Sequence, residues 1–513
     1  KQADEHLTTS MKSVGEAMAI GRTFKESLQK ALRSLETGRW GWGFDAKAPQ
    51  APSAEEITRK LAVPTAERIF WIQTAFSNGF SLDEVQQLTQ IDPWFLAQMQ
   101  DLAKAGDNLD KLDLREAKKL GFSDRQIALA RGTTEENIRK ERQEQGIVPG
   151  YRLVDTCAAE FEAYTPYFYS TYETGQEVVP ADRKKVIILG GGPNRIGQGI
   201  EFDYCSVHCV WTLKKNGCEA ILVNNNPETV STDFDTGDRL YFDPLNPESV
   251  DNIIATEKPD ACVVQFGGQT AIKLAKFLDD QGINVLGTSF DSIDMAEDRE
   301  RFDALLERFS IKRPQGRAIT GMQEALDAAH ELGYPVLLRP SYVIGGQNMV
   351  IAHNDEDVRT YMEIILSGKI ENPVLVDQYL MGKELEVDVI SDGKDVLIPG
   401  IMEHIERAGV HSGDSISVYP AQSISQHAKD TIVEYTKRLA RSLHVIGMIN
   451  IQFIVCGEDV YVIEVNPRSS RTVPYISKVT GIPIVPLATK VILGHTIREL
   501  GYEPGLQREA DYI

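Results

Sequence analysis

From residue 53 to residue 145, apolar positions recur three and four residues apart, the spacing of one helix face. The pattern predicts helices over 55–61, 66–77, 82–88, 94–103, 114–120, 124–130 and 134–145. Cap signals mark their starts: Ser81 stands three residues before Glu84, and Thr133 three before Glu136. Near residue 183 the texture changes. A short strand at 184–189, two lysines and then Val186 to Leu189, leads into three glycines, and similar strands follow at 220–223, 261–265 and 285–286, each after a helical segment. Buried strands alternating with helices predict an open parallel sheet. After about residue 310 the strands read as hairpin-like pieces at 374–379, 385–390, 449–455 and 460–465. The expected fold class is multidomain, α/β and α+β, with an all-α domain on the N-terminal side and boundaries near 150–183 and near 300.

The 513 residues suffice for three or four domains, and 42% apolar with 25% charged residues is an ordinary globular composition. Lys and Arg number 54 against 75 Asp and Glu, a net charge of −21. Neither the part before residue 181 nor the part after it has a basic surplus, which excludes tracking a nucleic-acid backbone. The stretch 122–144 has the outline of a helix-turn-helix, but its balanced charge favours packing or oligomerisation. Any phosphate must be bound locally, by a few placed groups and a metal.

The six cysteines contain no C-x-x-C pair. Cys205, His208 and Cys209 admit a zinc reading beside the plainer one of small buried residues in a reducing cytosol. The most apolar stretch, 443–456, is interrupted by His444, Asn450 and Gln452, so neither a membrane span nor a signal peptide is expected. The chain begins at Lys1 and reads as a fragment of a cytoplasmic protein.

Several segments carry chemistry. Gly190–Gly192, Gly197 and Gly199 follow a strand, where a dinucleotide fingerprint would sit. Arg195 takes the place of its third glycine, and Asn224–Asn226 stand where a ribose-binding acid is wanted, which disfavours NAD. The segment 450–466 reads as a hairpin turning near residue 458. In that register Gln452 faces Glu464 and Asn450 faces Asn466, all on one face. Ile451, Phe453, Val455, Tyr461, Ile463 and Val465 form the core face, while Ile454 and Val462 close the polar face near the turn. A solvated strand face is the alternative. Against it, this is a tight set of oxygen donors, which suits Mg²⁺ shared with nucleotide phosphates.

Arg468 and Arg471 follow the hairpin, placed to neutralise a transferring phosphoryl group. Arg339 ends a strand ahead of Gly345 and Gly346, whose backbone can approach phosphate oxygens. The strand at 374–378 breaks into a short linker, Gln378 to Glu384, able to offer backbone groups to an adenine edge and a carboxylate to ribose hydroxyls. A loop at 408–415 holds His411.

Together, in this order, these pieces resemble the ATP-grasp fold, and the longer strings 190–204, 226–233, 403–406 and 409–415 resemble the carbamoyl-phosphate synthase large-subunit family. The resemblance implies five segments: 1–38, the tail of a preceding ATP-grasp unit; 39–165, a helical oligomerisation domain; 166–182, a linker; 183–300, a pre-ATP-grasp α/β domain; and 301–513, an ATP-grasp domain with lobes of about 301–395 and 396–513. The stretch that would finish this second unit, and a regulatory domain, are expected beyond Ile513. By resemblance, Arg299, Arg339, Gly345, Gly346, Gln378, Leu380, Glu384, Gly409, Val410, His411 and Ser412 bind nucleotide, with Gln452 and Glu464. Gln452, Glu464 and Asn466 carry metal, and Arg468 and Arg471 serve phosphoryl transfer. The implied activity is ATP-dependent phosphorylation of carbamate to carbamoyl phosphate, feeding pyrimidine and arginine biosynthesis. The implied cofactors are ATP and Mg²⁺ or Mn²⁺, with K⁺ as a further ion. The implied partners are a glutaminase small subunit and further copies of the chain, with no nucleic acid and no membrane. A catalytically silent oligomerisation scaffold is the competing reading.

Overall fold

The computed structural model describes residues 6–13, 15–47, 49, 51–195, 197–340, 349–367, 374–406, 408–410 and 414–509. The chain divides into two compact units, one of residues 1–195 with 213–262 and one of 196–212 with 263–513.

The first unit opens with helices. Phe24–Ser34, Ala54–Ala62, Arg68–Ser77, Leu82–Thr89, Pro93–Gly106, Leu114–Lys119, Asp124–Arg131 and Glu135–Glu144 follow one another. Their apolar stripes, among them Leu32, Ile57, Leu61, Ile72, Val85, Leu96, Leu102 and Ile127, share one core around the fully buried Trp42. The capping box at Ser81 and Glu84 forms as expected, and Ser123 with Gln126 makes a second. The last helix is capped by Thr134, not Thr133; its hydroxyl accepts from the Asn137 amide.

A six-stranded sheet follows, from β1 (Gly150–Leu153), β2 (Tyr167–Thr171), β3 (Lys185–Leu189), β4 (Glu219–Val223), β5 (Arg239–Tyr241) and β6 (Ala261–Val263), in the order β1-β2-β5-β4-β3-β6. β2, β5, β4 and β3 run parallel, and β1 adds an antiparallel edge. β3 and β4 are buried along their whole length, as their unbroken apolar runs require. Two expectations change here. The span 166–182 is not a plain linker, because it supplies β2. The run at 285–286 makes only an isolated bridge and no strand.

The second unit holds two sheets. β7 (Gly316–Ile319), β8 (Val336–Pro340), β9 (Val350–Ala352) and β10 (Val374–Gln378) pair as β7-β10-β8-β9. The other has seven strands: β11 (Lys383–Asp392), β12 (Val396–Ile398), β13 (Met402–His404), β14 (Ser417–Val418), β15 (Ile446–Cys456), β16 (Asp459–Asn466) and β17 (Gly505–Leu506). β11 is its hub, pairing with β12, β13 and β15. The break between the sheets therefore falls at 379–382, not near 395, because the ten residues of β11 belong wholly to the second sheet. That sheet packs Leu385, Val387, Val389, Ile449, Ile451 and Phe453 into a core shared with the helix Gln426–Ser442.

Candidate functional site

The sequence Lys383-Glu-Leu-Glu-Val-Asp-Val389 alternates strictly, so β11 sends Leu385, Val387 and Val389 into the core and Glu384, Glu386 and Asp388 to the other face. β15 does the same with Ile449 and Ile451 against Asn450 and Gln452. Pairing brings these faces into line. Glu386, Gln452 and Glu464 form one row across β11, β15 and β16; Asp388, Asn450 and Asn466 form the next.

The polar end of the hairpin keeps the expected register, but the turn end does not. A bulge places Phe453 opposite Val462 and Ile454 opposite Tyr461, leaving Ile463 as the extra residue. Val460 and Val462 consequently join the core, whereas Tyr461 and Ile463, expected on the core face, do not.

Hydrogen bonds knit the rows together. The Asn450 amide, fully buried, donates to Glu386 Oε1 at 2.7 Å and to Asp388 Oδ1 at 3.0 Å. Asn466 Nδ2 donates to Glu464 Oε1 at 2.9 Å. Two hydroxyls from the loop after β16 also reach Asp388: Ser470 Oγ to Oδ1 at 2.7 Å and Thr472 Oγ1 to Oδ2 at 2.6 Å. Burial, and then the neighbouring Glu386 carboxylate, push Asp388 up to about 6 against those hydrogen bonds. Burial alone would lower His404, but its ring nitrogens face Glu384 Oε2 at 3.5 Å and Glu386 Oε2 at 3.3 Å, and the two carboxylates carry it to about 9.

The same loop carries both expected arginines. Arg468 donates from Nη2 to Asn466 Oδ1 at 3.0 Å and from Nε to Gln269 Oε1 at 3.3 Å, with its guanidinium over the Phe202 ring. Burial depresses its pKa; Glu464 and Glu297 oppose that effect. Arg471 lies between Ser470 and Thr472, the two residues tied to Asp388.

The remaining candidates fall into two groups. Arg299 and Arg339 meet at one carboxylate, Asp377, at 2.9 and 2.8 Å. Gln378 ends β10, with Leu380 two residues beyond it. Glu384 begins the polar face of β11 and accepts the Gly409 backbone N–H at 2.8 Å; Val410 follows, partly exposed. Gly345, Gly346, His411 and Ser412 lie outside the described residues.

Gln452, Glu464 and Asn466 offer hard oxygen donors with a single carboxylate among them. Among the described residues no group of three His, Cys, Asp or Glu side chains could hold a metal unaided. The set therefore suits a Mg²⁺-type cation that takes the rest of its shell from phosphates and water. The zinc reading gains nothing: Cys205 and Cys209 are fully buried, and burial raises both thiols, Cys209 to about 12. Nor does the glycine turn present a dinucleotide site. Asn224, itself buried, closes it by accepting the Gly192 N–H at 2.9 Å, and Arg195 pairs with Glu36 at 2.7 Å. Sequence reasoning passed over Glu386, Asp388 and Asp377. The strict alternation of β11 was the available signal for the first two.

Three family models match the chain: "Carbamoyl-phosphate synthetase large chain, oligomerisation domain" over residues 16–146, "Carbamoyl phosphate synthase preATP-grasp domain" over 182–295, and "Carbamoyl-phosphate synthase L chain, ATP binding domain" over 298–500. The carbamoyl phosphate synthase large chain of Lachnoclostridium phytofermentans is 56% identical over 518 residues, covering 100% of this chain and 48% of that protein. The namesake from Archaeoglobus fulgidus is 51% identical, covering 98% and 48%. The chain thus spans about half the length of the curated relatives it matches. Among solved structures, the biotin carboxylase domain of the Hydrogenobacter thermophilus 2-oxoglutarate carboxylase superposes with a TM-score of 0.51 at 20% identity, covering 62% of this chain and 71% of that one. Campylobacter jejuni biotin carboxylase gives 0.50 at 19%, covering 62% and 72%. These likenesses show the ATP-grasp fold. No helix among the described residues is long and apolar enough to cross a membrane.

Proposed function

Because the chain belongs to the family of carbamoyl phosphate synthase large chains, we propose that its second unit phosphorylates carbamate with ATP, giving carbamoyl phosphate and ADP. The observation that carries this reading is the pair of polar rows. Gln452 and Glu464 stand directly opposite each other, beside Asn466, which accepts from the half-buried Arg468.

In the proposed reaction a carbamate oxygen attacks the γ-phosphorus while the bond to the ADP oxygen breaks. Carbamate is already an anion, so the protein's task is positioning and charge neutralisation. Arg299 and Arg339 hold the nucleotide phosphates. Glu384 takes ribose hydroxyls, and the linker at Gln378 and Leu380 takes the adenine edge. Gly345, Gly346, Gly409, Val410, His411 and Ser412 contribute by family resemblance. Arg468 and Arg471 meet the charge spread over the moving phosphoryl group. A divalent cation held by Gln452, Glu464 and Asn466 would lower the negative charge on the phosphates when bound. The hydroxyls of Ser470 and Thr472, fastened to Asp388, keep the arginine loop against the hairpin. Carbamate, the glutaminase subunit that supplies its nitrogen, and a K⁺ ion belong to the proposed full enzyme.

The match of residues 16–146 to an oligomerisation-domain model favours a second role for the helical part, self-assembly. A silent scaffold would have that role alone. The back-reaction separates the two readings: with Mg²⁺, ADP and carbamoyl phosphate, the enzymatic reading predicts ATP formation, and the scaffold reading predicts none.

A further inference from the structure

Asp377 sits near the end of β10 with its carboxylate mostly buried. Oδ1 accepts from Arg299 Nη2 at 2.9 Å and Oδ2 from Arg339 Nε at 2.8 Å. One arginine comes from the start of the helix Arg299–Arg308, the other from β8. Asp377 engages each guanidinium through one nitrogen, and Arg299 Nε also lies 3.8 Å from Asp303 Oδ2, which leaves Nη1 of Arg299 and both terminal nitrogens of Arg339 outside the clamp. Arg299 Nη1 is enclosed, yet has no hydrogen-bond partner among the described residues. A buried N–H left unmade is costly, and an acceptor on a bound ligand would relieve it. The backbone makes room for the arrangement. Gly316 of β7 lies opposite Asp377, and a Cβ there would come within 1.9 Å of Oδ1 and 2.6 Å of Arg299 Nη2.

We propose that Asp377 is a positioning residue for the nucleotide, holding Arg299 and Arg339 as a preset fork for the polyphosphate. This rests on the reading above that the two arginines bind phosphate. Arginine side chains carry large rotamer entropy, so fixing them before binding removes a cost the ligand would otherwise meet. The opposite arrangement, in which Asp377 competes with phosphate for the arginines, predicts the opposite sign.

The test is calorimetric titration of MgADP into the 513-residue chain, with back-reaction rates alongside. Asp377→Asn is expected to weaken MgADP about 10- to 100-fold, the range for loss of charge-assisted hydrogen bonds. It should raise the KM for ADP far more than it lowers kcat, and Asp377→Glu should recover part of the loss. Unchanged or tighter binding in Asp377→Asn overturns the proposal. If Asp377→Asn does not fold, Gly316→Ala displaces the carboxylate without removing it and is read in the same way. Arg339→Ala and Arg299→Ala separate the two levels. If neither weakens MgADP, the nucleotide site itself falls; if they do and Asp377→Asn does not, only the positioning role falls.

Discussion

Each unit of the chain buries a polar network, and the two networks close differently. In the first unit Lys118, almost fully buried, spans Asp124 Oδ1 at 2.8 Å and Glu248 Oε1 at 2.5 Å. Arg142 Nε takes Asp124 Oδ2 at 2.7 Å, and the Asp124 amide donates to Glu248 Oε2 at 2.7 Å. With the buried Arg33 also acting on Glu248, both anions are answered by cations inside the protein. In the second unit the rows of Glu386, Gln452 and Glu464 and of Asp388, Asn450 and Asn466 carry three carboxylates and three amides. His404 lies against Glu386, and Arg468 reaches Asn466, while Glu464 stays exposed. A network that balances itself holds a fold together. One that runs from a closed base to an exposed carboxylate fits the cation proposed for it.

The contrast can be broken most severely at Glu464. Glu464→Ala should lower the back-reaction at least about 1,000-fold, since it removes the one carboxylate of the donor set, while shifting stability by less than about 0.5 kcal/mol at an exposed position. Wild-type rates in the variant would refute the metal assignment. Lys118→Met should do the reverse. It leaves Glu248 buried without its hydrogen-bonded cation and Asp124 with Arg142 alone, at a cost of about 3–5 kcal/mol in chemical denaturation, with the activity of the folded fraction unchanged. A loss under 1 kcal/mol would show that the first network is not a structural lock.

Much of this contrast was readable in the sequence. The helices of residues 54–144 and the strands β11 and β15 follow from periodicity, because each buries one apolar face, and β3 and β4 follow from their fully buried apolar runs. The facing pairs Gln452 with Glu464 and Asn450 with Asn466 followed from counting back from a turn. What escaped depends on distant pairing. β1, β2 and β5 are short, and only their neighbours in the sheet define them. The bulge at Ile463 adds one residue that no pattern announces, so the face of Tyr461 and Val462 was inverted. Asp377 looks like any strand-end acid until Arg299 and Arg339 arrive from elsewhere in the chain. Lys118 and Glu248, 130 residues apart, give no local sign of their partnership.

Smaller effects sharpen the comparison further. Arg471→Ala should cut turnover about 10- to 100-fold with ADP affinity changed less than threefold; weakened binding with intact turnover would reverse its role. The closed network should also report itself through acid. Burial alone would raise Glu248, but Lys118, Arg33 and Arg142 overcome that and hold it at about 2, below its ordinary 4.5. Its contribution to stability is therefore present above pH 4.5 and lost as the pH falls toward 2. Denaturation midpoints of the first unit should drop across that window and drop less in Lys118→Met, where the depressing cation is gone. Equal slopes in the two proteins would contradict the assignment.

The most direct test of the open network is a Mn²⁺ titration followed by electron paramagnetic resonance, with and without ADP. One Mn²⁺ per chain should bind tightly when ADP is present, weakly without it, and not in Glu464→Ala. Equal Mn²⁺·ADP binding by the wild type and Glu464→Ala would contradict the claim that the opposed oxygens of β15 and β16 hold the cation.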